Sequence, residues 1–316
     1  MEPRSQHQRR LRDEAISLIT PRHCNHGSQC SNVKLYRSRY ISKCTSKVMG
    51  LDNFPLISQK THANFRLCNV SGYTTNLLEI RAEDPSLHVL FIPGNPAVGH
   101  ISQTEKNWEH GRLFSLEEQI DHKIDFIKHE LQNSEVPIIL VIYCIGLYPF
   151  LAVNTESSKQ ATIKRLATSP ILSAAVSSVV GLLGLLPTRA SRFLVTKSVG
   201  KSWSTTAVDA LCTHVLQYHV IRNVLFLAMT EFKKLSETPD WTFMRGKQSR
   251  IAFLFGVGDH WGPLQMFDEI SKNVPDVALA IEREGHSHAF SCTKAGSLWV
   301  AQHVASLIKN WKTSSS

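Results

Sequence analysis

Apolar residues along this chain fall into two rhythms. Asn64 to Ala82, NFRLCNVSGYTTNLLEIRA, alternates polar and apolar around a Ser-Gly pair and predicts a hairpin leading to an edge of a sheet. Three short runs, LHVLFI at Leu87–Ile92, IAFLF at Ile251–Phe255 and VALAI at Val277–Ile281, have the composition of parallel strands covered on both faces. Between and after them the period changes to helical. Leu116, Ile120, Ile124, Ile127 and Leu131 recur on one face behind a capping-type Ser115-Leu116-Glu117-Glu118, which predicts a helix over Leu116–Leu131 with Glu117, Asp121, Lys123 and Lys128 in water. Trp203 to Lys234 reads as mixed helix buried through Leu211, Val215, Tyr218, Val224, Leu227 and Phe232. Ala295 to Lys309 reads as a last helix carrying Val300, Val304 and Leu307 toward the sheet. Strands alternating with helices predict an α/β fold, a mostly parallel sheet with helices on both faces.

Two uncharged runs break that alternation. Pro137 to Val153, PIILVIYCIGLYPFLAV, is too long for one strand and has no amphipathic period, so it reads as two buried strands joined without a crossover helix. Pro170 to Pro187, PILSAAVSSVVGLLGLLP, is rich in small residues, falls short of a membrane-spanning length, and is followed by Arg189, Arg192 and Lys197. It predicts a helical lid or hairpin over 170–197 that rests on lipid; a buried core helix is the competing reading.

Charge changes the picture only at one end. Of the net +9, seven units lie in Met1–Val48, where ten Lys or Arg face three acids. The body is nearly neutral, which argues against a nucleic-acid-binding face on the fold. Residues 1–49 are Ser-rich and without apolar periodicity and predict a disordered basic extension, followed by one domain over 50–312 and a tail at 313–316. Seven scattered cysteines show no framework spacing and predict reduced thiols in an intracellular protein. His23, Cys24, His26 and Cys30 lack a second ligand pair at structural-zinc spacing, so no metal and no other cofactor is expected.

The chemistry-bearing residues stand where strands stop. Asp259 follows the run ending at Phe255, and His286 and His288 follow the one ending at Ile281, one helical crossover apart. Open α/β sheets present functional groups beyond the carboxyl ends of their strands, so an acid after one strand can meet a base after the next. That is the second half of a nucleophile–acid–base order. Asp259 can equally serve as a cap for a helix starting near Gly262. The loop after Ile92, Pro93-Gly94-Asn95-Pro96, is where such a site would draw a backbone oxyanion donor. The nucleophile would belong on a G-x-S-x-G turn inside 137–153, and no such turn occurs there. Cys144 is the nearest stand-in, apolar in its surroundings. Ser287, in Gly285-His286-Ser287-His288-Ala289, is a formal rival that lacks a downstream acid.

FIPGNP at Phe91–Pro96, GLYPFLAVN at Gly146–Asn154, DHWGP at Asp259–Pro263 and HAF at His288–Phe290, in this order, resemble the lipid droplet-associated hydrolase family in its plant form. The resemblance covers Asn64 to Lys309. It implies an α/β-hydrolase-like fold and lipid ester or sterol ester hydrolysis at a lipid droplet, on the cytoplasmic or endoplasmic reticulum surface. It implies Asp259 as triad acid, His288 ahead of His286 as base, and Gly94 and Asn95 near the oxyanion hole. The apolar segment would be the droplet-directed insertion, touching lipid through Ile171, Val179, Leu182, Leu183, Leu185 and Leu186. The chain departs from the family pattern twice. Only Ala97 stands where the family carries an extra helix and strand, and Val141 runs into Ile142 where the family carries a G-H-S-x-G elbow. The resemblance therefore implies an internally truncated domain without its nucleophile.

Overall fold

A computed structural model describes residues 63–80, 88–92, 94, 112–132, 143–199 and 202–314. The basic arm at 1–49, Asn95, and the Ala97 and Val141 junctions lie outside the described residues.

The alternating segment forms strands β1 (Ala63–Val70) and β2 (Tyr73–Ile80), paired antiparallel. Ser71 and Gly72 between them both adopt positive φ, 51° and 83°, the turn whose twist suits a two-residue hairpin. This hairpin does not join the edge of the larger sheet as expected; it is a separate two-stranded sheet. Helix α1 (Leu116–Gln132) covers it instead. A reciprocal capping box starts α1: Glu118 N–H donates to Ser115 Oγ, and Ser115 N–H donates to Glu118 Oε2 at 2.8 Å. The buried face of α1 differs from the expected one. His122, Phe126 and Glu130, spaced four apart, meet the hairpin at Thr75, at Cys68 and Val70, and at Arg66, while Ile120 and Ile124 stay exposed.

The main sheet is three parallel strands in the order β3 (Cys144–Leu147), β4 (Ile251–Gly256), β5 (Ala278–Glu282). Helix α8 (Leu264–Asn273) is the β4–β5 crossover. Its Met266 and Ile270 pack with Phe253 and Phe255 on one face, beside Trp241 and Met244 of α7 (Trp241–Gly246). On the opposite face Val300 of α9 (Lys294–Ser314) packs with Leu254 and Tyr148. Alternate residues of β4 thus fill two cores, which is why that strand is buried along its whole length. A parallel sheet with helices on both faces is the α/β arrangement the patterning predicts. Helix α9 also runs one turn further than Lys309, into the expected tail.

One expectation fails here, and another is only partly covered. His88–Ile92 forms no strand, and Val89, Leu90, Phe91 and Ile92 are exposed. A parallel strand needs a hydrogen-bonded neighbour, and no described strand pairs with this one. From Pro137–Val153 the described residues supply one strand, β3, ended by Tyr148 with φ 50° and by Pro149; residues 137–142 lie outside the described residues.

The remaining helices form a layer between β3 and β4 in sequence: α2 (Ser158–Thr168), α3 (Pro170–Gly184), α4 (Thr188–Val199), α5 (Thr205–Ala210), a π-helical turn at Leu211–Val215, and α6 (Tyr218–Lys234). Within Trp203–Lys234, Val215 and Phe232 are buried as predicted, whereas Tyr218 is exposed and Val208, Leu225 and Ala228 complete the inner face. Ser169 closes α2 through its N–H to Arg165 O and caps α3 by accepting from Leu172 N–H. Pro170, which cannot extend α2, opens α3 at an angle of 96°. No single described helix is long and apolar enough to cross a membrane; α2 and α3 together meet that test but for their bend.

Helix α3 is inverted with respect to an ordinary core helix. Ser177 is fully buried, and Gly181 and Gly184 lie against Tyr218 and Leu216. Ile171, Val179, Leu182 and Leu185 face outward, Ile171 and Leu185 each 81% exposed. Leu183 and Leu186 are also exposed, as is Phe193 on α4. Of the cations expected to flank this face, Arg192 is engaged by Asp209, and Lys197 lies over the Phe193 ring at 5.7 Å.

Candidate active site

Parallel register puts the ends of β4 and β5 side by side: Gly256 is paired with Glu282. The chain leaves β4 through Gly258, with φ 78°, and presents Asp259 from the loop. It leaves β5 through Gly285, with φ 83°, and presents His288. The two side chains meet, His288 Nδ1 lying 3.1 Å from Asp259 Oδ2. With its proton on Nδ1, the ring donates to the carboxylate and leaves Nε2 to accept one.

Asp259 is held as well as holding. Its carboxylate is 2% exposed, and it also accepts from Trp261 N–H at 3.0 Å on Oδ1 and from Gly262 N–H at 3.3 Å on Oδ2. Three donors on one buried carboxylate replace the hydrogen bonds to water that burial removes. The capping alternative is therefore partly right, because Asp259 fixes its own loop, but α8 begins later, after Pro263. Gly262 permits the fold of this loop: a Cβ there would lie 2.6 Å from Pro149 O. Gln160 of α2, 1% exposed, braces the same loop by donating to His260 O at 2.6 Å while accepting from Asn154 N–H.

His288 is 40% exposed in its side chain and stands between two aromatic rings, Trp261 at 6.1 Å and Tyr148 at 6.2 Å between centroids. Trp261 is supported from behind by Phe150 and Phe232. Among the described residues no serine, threonine or cysteine hydrogen-bonds to His288, whose partner is Asp259.

The other candidates stand elsewhere. His286 does not reach Asp259; its ring is near Trp299, and its nearest carboxylate is Glu284 at 3.9 Å. Cys144, the expected stand-in nucleophile, stands apart from the pair. It pairs with Ile251 at the start of β4, whereas Asp259 lies beyond the other end of that strand, about 20 Å away at the rise of an extended chain. Although Cys144 keeps an exposed surface, the protein packed around it raises its thiol pKa, which further suppresses the thiolate. Ser287 is exposed on an irregular stretch, not on a sharp strand-to-helix turn. Gly94 is exposed, with no described residue within 4 Å of the place a Cβ would take; Asn95 lies outside the described residues. Among the described residues no cluster of three or more His, Cys, Asp or Glu could hold a metal.

Three residues around the pair were not singled out by the sequence: Gln160, Tyr148 and Glu282. Glu282 carried a signal, an acid at the end of the apolar run Val277–Ile281, just where the strand is expected to be covered on both faces.

Residues 135–291, which contain all three parallel strands and both loops, match the family model described as lipid-droplet associated hydrolase. Curated relatives carry the same description. A lipid droplet-associated hydrolase of Gallus gallus is 27% identical over 63% of this chain and 65% of its own length. One of Dictyostelium discoideum is 23% identical over 77% of this chain and 93% of its own length, and one of Mus musculus is 22% identical over 63% and 64%. The chain thus spans about 65% of the length of its chicken relative. No solved structure matches it. The family match runs through the strands that bring Asp259 to His288, and relatives from a bird, a mammal and an amoeba agree with it: over residues 135–291 the chain matches the lipid-droplet associated hydrolase family.

Proposed function

We propose that this chain is a lipid droplet protein of α/β-hydrolase type whose site is built for lipid ester hydrolysis, of sterol or acyl esters, and which turns over weakly or not at all. The observation that carries the reading is the Asp259–His288 hydrogen bond at neighbouring strand ends, with no hydroxyl or thiol bonded to the histidine among the described residues. In such a site Asp259 fixes the ring and stabilises its protonated form, while Nε2 takes the proton of an attacking hydroxyl. Without a nucleophile, water is left as the attacking group. Removing a triad nucleophile typically costs about a millionfold in kcat and leaves about 10³ to 10⁴ over water.

The test is hydrolysis of short-chain p-nitrophenyl esters and a sterol ester by the full chain, with fluorophosphonate labelling in parallel. The expected result is turnover near background and no labelled serine. Brisk turnover abolished by Asp259→Asn, together with a labelled serine, would instead reveal a complete triad.

A second reading, a non-catalytic protein of the droplet surface, is favoured by the outward leucines of α3. A monomer seldom leaves such a row of large aliphatic side chains in water while burying Ser177. The two readings are compatible if binding outlasts catalysis, and the family name of the relatives supports the droplet as the surface concerned.

A further inference from the structure

Glu282 is a fully buried acid that the proposed acid–base pair does not use. It is the last residue of β5, and every polar contact of its side chain runs to the segment that delivers His288 or to the ring beside it. Oε1 accepts from Glu284 N–H, Oε2 accepts from His286 N–H at 2.9 Å, and Tyr148 O–H reaches Oε2 at 3.4 Å. The same Tyr148 hydroxyl lies 3.4 Å from His286 O. The carboxylate is thus wrapped by the turn that follows it. Its main-chain O, meanwhile, accepts from Val257 N–H, at the start of the loop that presents Asp259.

Tyr148 ties this arrangement to β3. It is 1% exposed and adopts φ 50°, a left-handed conformation that a bulky residue keeps only when its surroundings hold it. Its ring stacks on Phe290 at 5.2 Å and meets His288 edge-on at 6.2 Å, and Gly256 makes room for it, since a Cβ there would lie 2.4 Å from the ring. Burial, and after it the negative Glu282, raise the pKa of the Tyr148 hydroxyl, so it stays a donor.

We infer that Glu282, with Tyr148 as its donor, is a positioning residue: it folds the Arg283–Ser287 turn around a buried carboxylate and so aims His288 at Asp259. The inference rests on reading Asp259 and His288 as an acid–base pair, but its test does not require turnover. A glutamine at 282 can offer an oxygen to one of the two main-chain N–H groups but must oppose the other with its own amide hydrogens.

In the full chain, the Nδ1 proton of His288 should appear as a downfield imidazole resonance in ¹⁵N-resolved NMR, assigned by its loss in His288→Ala. In Glu282→Gln that resonance should vanish or exchange about tenfold faster, as expected for losing one hydrogen bond to a charged group. The helical circular dichroism should remain. Tyr148→Phe, which keeps the ring and removes the hydroxyl, should change the exchange in the same direction by a smaller factor, and it decides the matter if Glu282→Gln fails to fold. An unchanged His288 resonance in folded Glu282→Gln, or in Tyr148→Phe should the first variant not fold, overturns the inference. Absence of the resonance from the unsubstituted chain also overturns it, and with it the acid–base reading. A resonance that is present and Glu282-dependent in a chain with brisk esterase activity leaves the positioning role intact and counts against the proposed lack of a nucleophile alone.

Discussion

Gly184 ends α3 at a point where the main chain of another element leaves no room: a Cβ there would lie 1.8 Å from Leu216 O. Replacing glycine by alanine in a helix ordinarily adds up to about 1 kcal/mol of stability. Here the obstacle is a carbonyl at the end of the π-helical turn, which cannot swing aside as a side chain would. Gly184→Ala should therefore lower stability by about 1 to 3 kcal/mol, read as a shift of the urea midpoint at unchanged slope. A neutral or stabilising result would mean that α3 slides freely over Leu216. The same distinction governs what was legible at the site. Asp259 and His288 could be found because each follows an apolar run by a few residues, a local signal. Gln160 and Tyr148 could not, since their partners lie 100 and 134 residues away and only the fold brings them together.

At the scale of elements, the hairpin, α1 and α9 follow from periodicity and β4 and β5 from their apolar runs, although α1 turns another face inward than its periodic one. His88–Ile92 shows the limit: its composition suits a covered strand, yet among the described residues it has no paired neighbour, and Val89 to Ile92 are exposed. Helix α3 shows another. Its run of apolar residues, almost without a polar face, does not reveal which side turns inward; the small residues decide it, by letting α3 approach α6 closely at Gly181 and the end of the π-helical turn at Gly184. The large side chains are left outside, and that has a measurable consequence. Leu182→Ser with Leu185→Ser removes two outward leucines, 65% and 81% exposed, that do not hold the fold together. Each leucine buried in lipid is worth about 1.5 to 3 kcal/mol, so the double variant should lose at least tenfold in partitioning to phospholipid-coated triacylglycerol droplets. Its melting temperature should stay the same. Undiminished flotation with droplets would remove α3 from the lipid contact.

The whole molecule couples its stability to pH through histidines outside the Asp259–His288 pair. His122 of α1 faces the hairpin, bonded to Thr75 through Nε2, and His303 of α9 stacks on Trp299; among the described residues His122 Nδ1 and His303 Nε2 have no hydrogen-bond partner. Burial lowers the pKa of both rings from the ordinary 6.5; for His122 the nearby Lys123 adds to the effect. The folded state thus holds them neutral while the unfolded chain titrates at the ordinary value. Their contribution to stability is complete above pH 6.5 and is lost as pH falls below it, because the unfolded chain gains protons that the folded one resists. The slope is at most about 1.4 kcal/mol per pH unit for each ring, and less in practice because both keep some contact with water. Glu118 acts in a lower window. The Ser115 N–H, then Arg112, lower its pKa below the usual 4.5, so its contribution is present above that value and fades beneath it. Thermal melts from pH 8 to pH 3 should show the melting temperature level above 7 and falling below 6.5, ahead of the carboxylate range. His122→Gln combined with His303→Gln should flatten that first decline while leaving the fall below pH 4.5 in place. A decline that persists unaltered in the double variant would assign it to other groups and show that these two rings are protonated as readily in the folded chain as in the unfolded one.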